Sequence, residues 1–393
     1  MIKIGLDASN LRAGGGVTHL AELLRAANPQ TYGVKQVIVW GGTAILGRLE
    51  ERPWLRKIHE PLLDQSLPYR LYWQRFVLDR TLRREGCDVL FAPGGSAGYG
   101  FRPYVTMSRN MLPFERRERA RYGKSWMFLK MILLQQSQTR TFLNADGIIF
   151  LTQYARDVVM QEVKHIQGKN NVIIPHGIDK RFLLPPRVQK GISSYSVRQP
   201  FRILYVSIVD MYKHQWHVAE AVARLRQSGL NVTLKLAGTA YPPALKRLHK
   251  AIAHYDRQDE FIHYVGAVDY KSLPEVYHNA DLFIFASSCE NMPNILLEAM
   301  ASGLPIACSS RGPMPEILGT AGGKYFDPEK PEEIAEILKK LIDDKVLRER
   351  CAWSAYTEAK GYSWEKCAQG TFAFIANAAK EKDKFDTRGI VHV

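Results

Sequence analysis

The chain has 393 residues, 46% apolar and 24% charged, which fits two globular domains with real cores and excludes a disordered or fibrous protein. Its formal net charge of +15 is uneven: residues 1–185 hold 27 Lys and Arg against 15 Asp and Glu, a net of +12, and residues 186–393 hold 27 against 24, a net of +3. That asymmetry points to a negatively charged partner on one side of the molecule, a membrane surface or nucleic acid.

Residues 2–6 form a first apolar run. Without a basic start, a long apolar centre or a small-residue cleavage site, it reads as a strand and not as a signal peptide. Gly14, Gly15 and Gly16 follow, then a helical pattern over 17–26. Short β-branched runs at 37–40, 89–91, 104–107 and 147–151 predict buried strands, with helices at 69–85 and 124–143 between them. A breaker-rich stretch, Leu184-Pro-Pro and 191–196, predicts a linker. Beyond it, strands are predicted at 202–206, 231–237, 262–265, 281–286 and 305–309. Helices are predicted at 217–228, 243–256, 271–279, 293–302 and 331–343. Strands alternating with helices imply two α/β domains, each with a parallel, doubly wound sheet. The N-terminal domain is expected over 1–185 and the C-terminal one over 186–365, with a last helix near 366–385 packing back on the first.

The five cysteines, Cys87, Cys289, Cys308, Cys351 and Cys367, are scattered and odd in number, without zinc or disulfide spacing. They read as small core hydrophobes in a reducing, cytoplasmic setting. The most apolar helical stretch, 126–134, is nine residues long and carries Lys130, against the roughly 20 needed to cross a bilayer.

The sharpest constellation runs from Ser287 to Gly303 and includes Glu290, Asn291, Met292, Pro293, Asn294 and Glu298. It follows the predicted strand at 281–286 and opens a helix; Pro293 suits the first turn and Gly303 the position beyond the last. Free backbone N–H groups therefore stand at a helix N-terminus beyond the carboxyl end of a parallel strand, where α/β sheets bind ligands. Glu290 lies in the loop and Glu298 about two turns along the helix. Each carboxylate can accept paired hydrogen bonds from a sugar diol. Singly, Glu290 reads as a helix cap and Glu298 as a solvated residue; the pair in this context favours a ligand site.

This block resembles the Glu-x7-Glu motif of the retaining GT-B glycosyltransferases of the family-four type. Gly14-Gly15-Gly16 resembles that family's N-terminal glycine loop, Val172-Ile-Ile-Pro-His-Gly-Ile-Asp179 its segment before the linker, and Leu236-Ala-Gly238 a strand end. Residues 261–266, Tyr277-His-Asn-Ala-Asp281 and Tyr362-Ser-Trp364 also fit. The resemblance implies a GT-B fold, two Rossmann-like domains facing a central cleft. It also implies transfer of a hexose-type sugar from a UDP- or GDP-sugar to a glycan or polyprenyl-linked saccharide, in cell-surface polysaccharide synthesis.

Residue roles follow from the same resemblance. Glu298 holds the ribose hydroxyls, and Glu290 those of the transferred sugar. The backbone N–H groups of Asn291, Met292, Pro293's neighbours and Asn294 reach sugar and phosphates, and Gly238 lies at a donor-side strand end. Lys213 neutralises the diphosphate, which Gly15 and Gly16 let the backbone approach. There are two departures. Ile208 stands where the family usually carries an arginine, and Met107-Ser-Arg109-Asn110 stands where a histidine is common, which makes Arg109 and Asn110 catalytic candidates beside Glu290 and Lys213. His176 reads as structural. Enzymes of this type use front-face displacement, in which the leaving phosphate assists deprotonation of the acceptor. No Asp-x-Asp stands at a strand end, so neither a cofactor nor a metal is expected.

Residues 109–134 mix Arg116, Arg117, Arg119, Arg121 and Lys130 with apolar side chains. They either lie on an anionic membrane or bury their apolar face in the N-terminal core and solvate the arginines. The expected partners are the nucleotide-sugar, a glycan or lipid-linked acceptor, and an anionic membrane surface met by the N-terminal domain. The expected place is the cytoplasm, peripheral on the inner face of the membrane. A GT-B-fold sugar-nucleotide epimerase shares the architecture but resembles the Glu290 to Glu298 block less. A nicotinamide oxidoreductase needs G-x-G-x-x-G, and the last position here is His19. A non-enzymatic basic protein would use the +12, yet no nucleic-acid module is present, so no nucleic-acid partner is expected.

Overall fold

Runs such as Val89–Ala92 and Leu282–Phe285 are buried at every position, because helices cover both faces of a parallel sheet and leave neither side to water. The computed structural model describes residues 1–12, 14–95 and 100–388. The first sheet comprises β1 (Ile2–Asp7), β2 (Val34–Gly41), β3 (Leu55–His59), β4 (Val89–Ala92), β5 (Tyr104–Met107), β6 (Gly147–Phe150) and β7 (Asn171–Ile173). Their order is β3-β2-β1-β4-β5-β6-β7. The second comprises β8 (Phe201–Val206), β9 (Val232–Ala237), β10 (Ile262–Tyr264), β11 (Leu282–Phe285), β12 (Ile306–Ser309) and β13 (Lys324–Phe326), in the order β10-β9-β8-β11-β12-β13. The pairings are parallel in both. Strand order reverses between β1 and β4, and again between β8 and β11; crevices for ligands open at such points.

The chain divides into two compact units. Unit 1 comprises Met1–Glu115, Lys124–Gly177 and Ser363–Val393; unit 2 comprises Arg116–Gly123 and Ile178–Tyr362. Within unit 1 the helix Trp364–Arg388 packs on the helix Gly15–Ala26 and against β4. Gly177 admits Trp364 so closely that a Cβ there would stand 2.1 Å from its backbone nitrogen. Within unit 2 Ile178 N donates to Tyr362 O at 3.3 Å. The crossings thus fall after Gly177 and Tyr362, where the domain bounds had been expected at 185, from the breaker pattern, and at 365, before the last helix. The stretch read as a linker packs on unit 2. Leu184 N donates to Ala301 O at 3.0 Å, and the buried Arg348 guanidinium donates to the carbonyls of Lys190, Leu341 and Ile342.

Residues Arg116–Gly123 are the larger surprise, since they belong to unit 2. Counted by unit, the charges are 26 against 17, a net of +9, for unit 1 and 28 against 22, a net of +6, for unit 2. The steep division by sequence halves largely disappears. Other differences are local. The helix expected at 69–85 is two, Leu67–Phe76 and Leu78–Arg84, meeting at Val77. The edge strands β3, β7 and β13 were not expected. They interrupt their apolar runs with Arg56 and Lys57, Asn171 and Lys324, the polar dress that keeps edges from pairing further. All five cysteines are buried, with free thiols.

Candidate functional site

Lys213 and Glu290 come together at the switch point of unit 2. Lys213 lies in the turn between β8 and the helix Gln215–Gln227, and Glu290 in the loop beyond the carboxyl end of β11. Lys213 is buried, and its ammonium is paired with the Glu290 carboxylate. The same ammonium lies 5.0 Å from the Tyr212 ring centroid and 5.1 Å from that of Phe285, so aromatic faces add to its stabilisation. Tyr205 Oη donates to the Lys213 carbonyl at 2.7 Å and fixes the turn. His214 follows with a left-handed backbone, φ 53°. Glu290 is therefore engaged by a cation and does not cap the helix.

The helix Asn294–Ala301 starts at Pro293 without a side-chain cap and ends before Gly303, whose φ of +63° suits that position. An uncapped N-terminus leaves N–H groups directed at whatever lies beyond it. Asn291 and Met292 are buried there. The Asn294 Oδ1 is buried and finds no hydrogen-bond partner among the described residues. Glu298 is 3% exposed and not solvated. Burial raises its carboxyl to about 7, against the opposing influence of a 3.1 Å hydrogen bond from Tyr277 Oη and of nearby Arg181. Arg181 lies 3.9 Å from the Tyr270 ring centroid and pairs with Asp179 at 2.8 Å.

Gly238, just past β9, plays a packing part. Its φ is +144°, and a Cβ would stand 2.0 Å from Ser207 O. Tyr264 Oη donates to its carbonyl at 2.8 Å. Ile208 is 39% exposed.

Unit 1 has its own switch point, and the glycine loop follows β1 there. Gly14 has φ +70°, and the helix Gly15–Ala26 begins with no side-chain cap. A Cβ on Gly16 would stand 2.8 Å from Arg109 Nη1, so a side chain there would push the guanidinium away from this helix end. Burial lowers Arg109 to about 10, which leaves it charged near neutral pH, and its Nε has no partner among the described residues. A cation beside a helix N-terminus opposes the helix dipole; an anion placed there satisfies both. Asn110 is half-buried, and its Oδ1 accepts from Leu112 N at 3.1 Å in a local turn. His176 and His19 are buried with ring centroids 4.7 Å apart. Burial, then the Arg109 charge, lowers His176 to about 3; burial, then His176 and Arg109, holds His19 well below its ordinary range. Both rings are neutral.

Within the basic segment, two of the arginines are held in ion pairs and are not free to face a membrane. Arg117 and Arg121 pair with Glu329 in unit 2. The helix Trp126–Asn144 buries Met131, Gln138, Thr141 and Phe142 but exposes Trp126, at 73%, with Leu129 and Leu133. The helix Leu67–Phe76 exposes Tyr69, Tyr72 and Phe76. Among the described residues no helix is long and apolar enough to cross a membrane.

Sequence reasoning did not single out Arg181, Tyr277, Ser288, His214 or Glu118. Arg181 adjoins the Val172 to Asp179 segment, Tyr277 opens a quoted motif, Ser288 lies inside the Ser287 to Gly303 block and His214 follows Lys213, so these four were within reach; Glu118 carried no signal of its own.

Residues 193–358 match the family described as "Glycosyl transferases group 1", and residues 13–182 match "Glycosyltransferase Family 4". The O-antigen chain mannosyltransferase B of Escherichia coli is 36% identical over 115 residues, 29% of this chain. The match spans 30% of that relative's length. Sucrose-phosphate synthase from Thermosynechococcus elongatus superposes with a TM-score of 0.73 at 18% identity, covering 94% of this chain and 97% of the other. The HepE protein of Anabaena, solved with UDP and glucose, gives 0.63 at 17% identity, covering 99% and 100%. These structural likenesses establish the α/β two-domain GT-B architecture.

Proposed function

The chain belongs to the GT-B glycosyltransferases of the family-four type, and from that premise we propose that it moves a hexose from a UDP- or GDP-sugar to a glycan or polyprenyl-linked saccharide, with retention at the anomeric carbon. The observation that carries this reading is the Lys213–Glu290 pair at the β8/β11 switch point, followed by buried Glu298 on the next helix. Lys213 and the amides at the Asn294 helix start meet the diphosphate, Glu290 the sugar hydroxyls and Glu298 the ribose. In the reaction the bond from the anomeric carbon to the phosphate oxygen breaks, and a bond to the acceptor oxygen forms on the same face. The acceptor proton passes to the departing phosphate. Charge grows on that phosphate, and one well-placed donor contributes on the order of 3–4 kcal/mol to holding it. Lys213 supplies this charge without calling for a metal. The approach of Arg109 to the helix start at Gly16 in unit 1 suits a further anionic group.

The E. coli relative's name, an O-antigen chain mannosyltransferase, supports a place in surface polysaccharide synthesis. The test is release of UDP or GDP from the corresponding glucose and mannose donors with and without a lipid-linked saccharide. Release that depends on acceptor is expected; conversion of the donor to an epimer without acceptor would instead identify an epimerase.

Unit 1 reaches the membrane, in this reading, through Trp126, Leu129 and Leu133, spaced on one helical face, with the exposed aromatics of Leu67–Phe76 beside Arg70 and Arg75 in sequence. The basic segment 116–121 no longer carries the idea, since it is engaged in unit 2. Vesicles containing phosphatidylglycerol should retain the wild type and a variant neutralised at Arg116 and Arg119, and lose a Trp126→Ser/Leu129→Ser/Leu133→Ser variant. Equal sedimentation of the last variant contradicts this surface.

A further inference from the structure

Residues Arg116–Gly123 precede β6 and β7 in the chain, yet they pack in unit 2 and reach both loops that carry the Lys213–Glu290 pair. Ser288 Oγ donates to Glu118 Oε2 at 2.6 Å, two residues before Glu290. Ser288 N donates to Tyr212 O at 2.8 Å, beside Lys213. His214 Nε2 lies 2.9 Å from the same hydroxyl. Burial, then the charge of Arg121, lowers His214 to about 2, so its ring is neutral. A hydroxyl has a single proton; with that proton on Glu118, His214 donates from Nε2–H to Ser288 Oγ. The three residue types are those of a hydrolytic triad, but the serine proton is directed at the carboxylate and nothing activates the oxygen. The chain of bonds ties one loop to the other.

The neighbouring residues make the same connection. Tyr122 Oη donates to Asp210 Oδ1 at 2.7 Å, and Lys213 N donates to Asp210 O at 3.0 Å, so Tyr122 holds the head of the lysine turn. Arg121 pairs with Glu118 at 2.6 Å and also with Glu329, which Arg117 shares. Glu118 is thus a buried carboxylate with a cation on one side and the donor loop on the other.

We propose that Glu118 is a positioning residue of the donor site: acting through Ser288 and His214, it sets Glu290 and Lys213 relative to each other and touches no substrate itself. This rests on the donor-binding reading of unit 2. The test is calorimetric titration of UDP-glucose and GDP-mannose into wild type, Glu118→Gln, Glu118→Ala, Ser288→Ala and the Glu118→Ala/Ser288→Ala pair, with thermal unfolding and steady-state kinetics of each. Loss of a buried charge-assisted hydrogen bond should raise donor Kd and KM about tenfold in either alanine variant. The pair should be no worse than one alone, because both substitutions cut one link. Glu118→Gln, which still accepts from Ser288, should recover most of the affinity. Donor Kd within about twofold of wild type in every folded variant, with only Tm lowered, would overturn the proposal. Additive losses in the pair would overturn it too. If Glu118→Ala does not fold, Glu118→Gln against Ser288→Ala makes the same comparison. A wild type that binds neither donor sinks the donor reading first and this inference with it; a wild type that binds, beside variants that bind equally, sinks this inference alone.

Discussion

At the switch point of unit 1, Arg109 approaches the uncapped start of the Gly15–Ala26 helix, and its Nε lacks a partner among the described residues. At the equivalent point of unit 2, Lys213 is paired with Glu290, flanked by two aromatic faces and fixed through its carbonyl by Tyr205. Each sheet therefore places a cation near its switch point, Lys213 just after β8 and Arg109 just after β5, with opposite electrostatic settings. A paired cation is oriented in advance for an incoming phosphate, at the cost of sharing its charge with a carboxylate. A half-buried cation without such a partner among the described residues keeps its full attraction for an anion and burdens the fold. The first arrangement suits positioning, and the second suits capture.

The largest test of that contrast is Lys213→Met. Breaking the pair leaves Glu290 without its cation, which should cost about 3 kcal/mol in urea unfolding. It should also lower kcat/KM by roughly 10- to 1000-fold, as a charge-assisted phosphate contact is lost. Wild-type turnover in this variant would point to another cation, one that stands in for the arginine missing at Ile208.

A second effect comes from Glu298, whose carboxyl is raised from 4.5 to about 7 mainly by burial. Between those values the folded protein keeps a proton that the unfolded chain has released. Stability therefore falls as pH rises through that window, by on the order of 3 kcal/mol at its upper end. Glu298→Gln should match wild type near pH 4.5 and exceed it above about pH 7.5 in denaturant unfolding. A pH-independent difference would show that the carboxyl is not destabilised by its site.

The smallest effect sharpens the comparison most. Arg109→Met should leave stability unchanged or raise it by about 1 kcal/mol, because it removes a half-buried charge with no carboxylate beside it among the described residues. A loss as large as that of Lys213→Met would show that Arg109 is paired after all, and the contrast between the units would fail.

Much of this was legible before any coordinates. Central strands such as β4, β5 and β11 announce themselves as apolar runs, since both their faces are buried, and the helix from Asn294 is marked by Pro293 and Gly303. The edge strands β3, β7 and β13 were not legible, because their polar residues mimic loops, whereas the edge strand β10 was. The helices Gln153–Glu162 and Lys345–Ala359 could have been found from their caps, Thr152 and Asp344, each of which accepts from a backbone N–H. The placement of Arg116–Gly123 in unit 2 could not have been. Periodicity reports which face of a segment is apolar, not which core receives it, and Glu118 looks like any acid in an arginine-rich run. Charge counted along the chain was misleading for the same reason.

The measurement that bears most directly on the donor site is calorimetric titration of UDP-glucose and GDP-mannose into wild type and Glu298→Ala, with far-ultraviolet dichroism to show that both are folded. At least one donor should bind the wild type and bind the variant about tenfold or more weakly, as expected when a carboxylate that holds ribose hydroxyls is removed. Equal donor affinity in the two proteins would contradict the assignment of this loop and helix as the nucleotide-sugar site.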